Sequence, residues 1–172
     1  MSIVHCTLFI EMNLSGLLPL LDASPEFQAL LTRLQSAPRV TAPIEVLDAA
    51  RPYVLSALQE HFTRGDSSRP IVVVSARTER AKQLWTDITS WSAQPERIFY
   101  FAEPDPLIYE RMPWSVETIA LRLAALSALS GKQTGDGVRQ PPPFIVTTIR
   151  ALMTRTAPPE EFQRGVVVLE RG

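Results

Sequence analysis

The sequence predicts an α/β fold, a parallel sheet with helices on both faces. Residues 69–78 read R-P-I-V-V-V-S-A-R-T, and the unbroken β-branched run from Ile71 to Val74 is apolar on both faces. A strand of that kind must be covered on both sides, as in parallel sheets. The small Ser75-Ala76 turn leads straight into a helical pattern over residues 79–91, which makes half of a βαβ unit. Strand and helix patterns go on alternating toward the C-terminus, which implies parallel strands joined by crossover helices.

The chain has 172 residues, a formal charge of −1 and 45% hydrophobic residues, which suits an ordinary globular domain with a real core. The near-neutral charge argues against a duplex-binding module that works alone, since such modules carry a basic footprint. Cys6 is the only cysteine, so there is no disulfide framework, and a reducing compartment, the cytoplasm, is expected. No apolar run reaches the ~18 residues that a membrane helix needs, so no membrane partner is expected.

In chain order, residues 1–11 are apolar but lack the basic start and small-residue cleavage site of a signal peptide. They are set aside from the fold, with Met12 as the alternative start. Residues 12–38 form a helical N-terminal segment. Leu14 to Leu21 suggests a turn or two of helix, and Ser24-Pro25-Glu26 is a helix start with a capping hydroxyl, Pro at the first position and an early acid. Phe27, Leu30, Leu31 and Leu34 then share one face, and Ser36-Ala37-Pro38 ends that helix.

The main α/β domain is expected over residues 39–162. Residues 39–42 read as a short strand. The next helix starts between Asp48 and Pro52, because Pro is tolerated only in a first turn, and its apolar face is Val54, Leu55, Leu58 and Phe62. The helix after the 71–74 strand faces inward through Ala81, Leu84, Trp85, Ile88 and Trp91. Residues 97–101 form another strand, and 102–114 an ordered, proline-rich loop. Ser115 caps a helix over 116–129 with Ile119, Leu123 and Leu126 inward. Residues 130–143, rich in Gly and Pro, read as a flexible connection. A strand over 144–148 and a short helix to about Arg155 follow, then a break at Ala157-Pro158-Pro159. A last strand at 166–169 belongs to a following domain that begins at 163, so the chain reads as a fragment of something longer.

Ligands of a doubly wound sheet bind at the carboxyl ends of the strands, often at helix N-termini. A phosphate loop after the 39–42 strand would read G-x-x-x-x-G-K-[ST]. The chain instead reads E-V-L-D-A-A-R-P over residues 45–52: Glu45 and Asp48 put acids in a loop that lacks the glycines, Ala50 crowds it, Arg51 stands for the lysine and Pro52 for the magnesium-ligating hydroxyl. Acids there repel phosphates, so the expectation is a structural turn with no nucleotide site. The turn Ser75, Arg77 and Thr78 offers hydroxyls and free N–H groups to an anion, although ordinary capping explains the same residues. Glu103, Asp105 and Glu110 suggest a metal or acid–base site, but His5 and His61 lie elsewhere and no ligand spacing supports one, so a solvated loop is expected. No catalytic residue is assigned: Cys6 lies in the extension, and neither histidine has an evident partner. Trp85 and Trp91 fit core packing, and Trp114 fits packing or a contact.

Taken together, four stretches resemble the N-terminal region of the bacterial transcription-repair coupling factor. These are Leu47-Asp48-Ala49-Ala50-Arg51 with the helix after it, the strand from Arg69 to Val74, the run Tyr109-Glu110-Arg111 with Ser115, Glu117, Arg122 and Leu123, and the strand and helix from Phe144 to Met153. The resemblance implies a module similar to the B subunit of the UvrABC excision nuclease, with a RecA-like fold, a degenerate phosphate loop and no ATPase function. The full-length family protein is an ATP-driven DNA translocase in DNA repair. It displaces stalled RNA polymerase, recruits the excision nuclease through its A subunit and binds duplex DNA, mostly through regions beyond this chain. ATP and magnesium belong to its motor region. This chain is then a non-catalytic scaffold with no cofactor of its own, and its partner is the remainder of the coupling factor. Only Tyr100 and Tyr109 stand where the excision subunit carries a tyrosine-rich hairpin, which argues against damage probing and against that subunit itself. The alternative is an independent small α/β nucleotide-binding domain or enzyme using residues 75–78 or 103–110.

Overall fold

A computed structural model describes residues 13–36, 41, 43–64, 69–105, 112–130 and 142–165. The strands expected at 39–42 and 166–169 lie outside the described residues, apart from Thr41, which is in no strand. So do residues 1–11, most of the connection after Ser130, and Tyr109, Glu110 and Arg111.

The chain enters through a 3-10 turn, Ser15–Leu17, and a single helical turn, α1 (Pro19–Asp22). Helix α2 (Pro25–Ser36) starts as its sequence predicts: the Ser24 hydroxyl accepts from the Phe27 N–H at 3.4 Å. Its inward residues Phe27, Leu30 and Leu31 meet Leu18 of the preceding turn and Ala57 and Leu58 of α3 (Arg51–Arg64) in one buried cluster. Pro52 lies in the first turn of α3, where its missing N–H costs no helical bond. Helix α3 is buried along Ser56, Ala57, Leu58 and Gln59, while Val54, Leu55 and Phe62 pack half-buried at its margins.

The sheet follows. Strand β1 (Ile71–Ser75) leads into α4 (Thr78–Trp91), β2 (Ile98–Phe101) into α5 (Val116–Leu129), and β3 (Phe144–Thr148) into α6 (Ile149–Met153). The three strands are parallel in the order β1-β3-β2, with Val146 opposite both Val73 and Tyr100. The chain passes from β1 to the far position and then returns to the middle. Right-handed crossovers in opposite directions put successive helices on opposite faces. Ala81 and Ile88 of α4 accordingly pack with Ile98, Tyr100, Phe144 and Val146, while Ala125 of α5 packs with Phe101, Ile145 and Ala151 on the other side. The α/β architecture, a parallel sheet with helices on both faces, is as expected.

Two expectations are corrected. The two-sided cover predicted for residues 71–74 belongs to β3, all of whose residues are buried. In β1, Ile71 and Val73 pack against α4, but Val72 and Val74 are 47% and 46% exposed. Among the described residues β1 is an edge strand, and an apolar run cannot distinguish an edge from a centre. Helix α5 is also turned differently. Thr118, Arg122 and Ala125 are its buried residues, whereas Ile119 and Leu123 are 41% and 49% exposed; of the predicted face only Leu126 packs inward.

A further helix, α7 (Pro159–Gly165), lies where the sequence predicts only a chain break. Its signal was present: Pro159 at the first position, then Glu160 and Glu161 in a first turn that favours acids. Among the described residues, no helix is long and apolar enough to cross a membrane.

Candidate functional site

The loop over residues 45–52 forms a 3-10 turn, Asp48–Ala50, at the head of α3. The Asp48 carboxylate lies 2.7 Å from the Arg51 guanidinium and 2.9 Å from that of Arg80 in the first turns of α4. The Asp48 carboxylate thus bridges two guanidinium groups from different helices. Glu45 is exposed, Ala50 half-buried and Pro52 buried.

The second sequence candidate is a tight structural turn. The Ser75 hydroxyl donates to the Arg77 carbonyl at 3.1 Å and accepts from the Arg77 N–H at 3.3 Å. Helix α4 has no side-chain cap, and Thr78, its first residue, turns its hydroxyl to Glu103.

Glu103 corrects the expectation of a solvated loop. Its carboxylate accepts from the Thr78 hydroxyl and, at 3.1 Å, from the Thr148 hydroxyl, and lies 3.9 Å from Arg150. It therefore ties the start of α4 to the ends of β3 and β2. Asp105 has a comparable role at α5: it accepts from the Ser115 N–H at 2.9 Å and the Thr118 hydroxyl at 3.1 Å. Ser115 itself caps α5 as predicted, accepting from the Thr118 N–H at 3.1 Å. These bonds favour the ionised carboxylate and hold the Asp105 pKa below its ordinary value of 3.8. A depressed carboxylate contributes stability above its unfolded pKa and loses it as the pH falls through the folded one. We expect Asp105→Asn to be less stable than the parent at neutral pH. The gap should close as acid titrates the parent below 3.8, and urea midpoints measured across that range check it.

The remaining motif residues of α5 diverge. Glu117 and Leu123 face solvent, and Arg122 is 3% exposed. The Arg122 guanidinium lies 4.0 Å from the Phe101 ring centroid and 5.0 Å from that of Trp114, and donates to the Ala102 carbonyl at 2.7 Å. Burial pulls its pKa down. Trp114 is therefore a packing residue. Trp85 and Trp91 also pack as predicted, Trp85 stacking on Tyr100 and Trp91 tilting against Tyr53.

Between the first turns of α4 and α5, at the carboxyl end of β2, a cleft of about 420 Å³ is lined by Thr78, Lys82, Trp85, Tyr100, Glu103 and Glu117, among others. This is where open parallel sheets hold ligands, and the volume falls in the usual small-molecule range. Sequence reasoning missed the cleft because Lys82 and Glu117 come to line one cleft only through packing. Its one visible signal was Tyr100, a hydroxyl on a strand otherwise made of Ile and Phe. Among the described residues no group of three or more side chains could hold a metal ion, and His61 pairs with Gln35 at 2.9 Å.

The fold and this crevice define an α/β protein built on a parallel sheet with an open cleft at its strand ends. No protein-family model matches the chain, and no curated protein matches it.

Proposed function

We propose that this chain is the N-terminal part of a bacterial transcription-repair coupling factor and serves there as a non-catalytic scaffold. On this reading the α/β domain is RecA-like and the loop over residues 45–52 is a phosphate loop that has lost its chemistry. The observation that supports it best is the pairing of Asp48 with Arg51 and Arg80. A phosphate entering there would compete with a carboxylate for both guanidinium groups and meet Glu45 as well, at a loop without glycines to wrap it. Translocation, polymerase displacement and recruitment of the excision nuclease belong to the rest of such a protein. This piece contributes a folded support in the cytoplasm and takes no cofactor of its own.

The test is calorimetry of the purified chain with ATP and magnesium. The expected result is no binding at millimolar ATP. Micromolar binding would remove the scaffold reading and make an independent nucleotide-binding α/β domain the better one.

A further inference from the structure

The cleft between α4 and α5 has an uneven charge balance. Glu103, Asp105 and Glu117 line it against Lys82 and Arg150. Glu103 and Asp105 are engaged by hydroxyls, a backbone N–H and Arg150. Lys82 on the α4 wall and Glu117 on the α5 wall make no ion pair or side-chain hydrogen bond among the described residues. Between them, Trp85 and Leu121 supply apolar wall. Tyr100 lines the same cleft and is 2% exposed, yet its hydroxyl has no hydrogen-bond partner among the described residues. A buried hydroxyl without a partner costs about 1–3 kcal/mol, so a group that satisfies it has an energetic reason to bind. Burial first, and then the Glu103 and Glu79 carboxylates, pushes the phenol pKa up, so the hydroxyl stays neutral.

We infer that this cleft binds a small zwitterion of amino-acid type: its carboxylate meets Lys82, and its ammonium or guanidinium group lies toward Glu117 and Glu103. A simple anion fits poorly, because acids outnumber cations in the cleft. A simple cation leaves Lys82 opposed. A ligand with both charges separated by a short apolar stem matches the two walls and the aromatic side between them. The inference is independent of the coupling-factor reading and is tested by a separate titration.

The experiment follows the Trp85 indole N–H, which donates to the Ile98 carbonyl at 3.4 Å beside the cleft, by NMR during addition of L-arginine. Agmatine, which lacks the carboxylate, and sodium phosphate are the comparison probes. Saturable movement with millimolar arginine is expected, with weaker binding of agmatine and none of phosphate. Glu117→Gln should weaken arginine about tenfold, the scale of one charge-assisted bond. Lys82→Met should weaken arginine by a similar factor while strengthening agmatine, a cation that the lysine repels. Tyr100→Phe should fold at least as well as the parent, since it removes an unpartnered hydroxyl, and should still bind arginine less tightly. No movement with arginine, an equal response to phosphate, or unchanged arginine binding in Glu117→Gln would overturn the inference.

Discussion

Replacing Arg122 with alanine is expected to lower the unfolding free energy by about 3 kcal/mol, read as a fall in the urea midpoint. The side chain is buried between the Phe101 and Trp114 rings and donates to the Ala102 carbonyl. Alanine removes the stem's packing, both ring contacts and that hydrogen bond, leaving a void between two aromatics. Part of this loss is offset, because burying a guanidinium is costly and one of its nitrogens has no hydrogen-bond partner among the described residues. Arg122→Met separates the contributions: it keeps an apolar stem between the rings and removes the buried charge, so a loss of only about 1 kcal/mol is expected. Lysine should do worse than methionine, because an ammonium cannot stack as a planar guanidinium does. The residue also protects an edge. Among the described residues strand β2 is, like β1, an outer strand of the sheet, and the Trp85 indole and Arg122 guanidinium engage the carbonyls of Ile98 and Ala102. Arg122→Ala should therefore aggregate more readily than Arg122→Met as well as unfold sooner. A midpoint unchanged from the parent would mean that the side chain is not held between the rings.

Phe144→Ala is expected to cost more, about 4 kcal/mol. Phe144 is 0% exposed at the start of the central strand, opposite Ile71 on one side and Ile98 on the other. It packs in the cluster that joins α4 to the sheet, so its removal leaves a cavity that fixed strands on both sides cannot close. Val72→Thr on β1 is the useful contrast. Val72 is 47% exposed, and the change should stay within about 0.5 kcal/mol. Chemical denaturation of both variants measures the difference. If Val72→Thr cost as much as Phe144→Ala, β1 would have to be covered on both faces, as its sequence alone suggests.

Much of the fold was legible because its signals are local. Ser24 and Pro25 start α2, and Ser115 caps α5 through the Thr118 N–H. The spacing of Ala81, Leu84, Trp85, Ile88 and Trp91 gives the inward face of α4. The site was less legible. Asp48 stands out in the sequence as an acid at the head of a helix, but its bond to Arg80 joins two helices that the sequence keeps apart. Glu103 looked like one polar residue in a proline-rich loop, and its partners Thr78 and Thr148 lie 25 and 45 residues away.

The sequence by itself determined most of the described elements, the starts of α2 and α5 at Ser24 and Ser115 and the alternation that makes the sheet parallel, because each depends on residues within a few positions of one another. The tertiary structure alone decided which strand is central and which side of α5 faces inward. Ile71 to Val74 and the residues of β3 are both apolar runs, and only pairing on both edges makes β3 the buried one. In α5, the Ile119–Leu123 stripe is the more hydrophobic choice. The helix buries Thr118 and Arg122 instead, because Asp105 anchors its first turn and the Phe101 and Trp114 rings take the guanidinium. Those partners come from outside the helix, so no pattern within it could have shown which face would win.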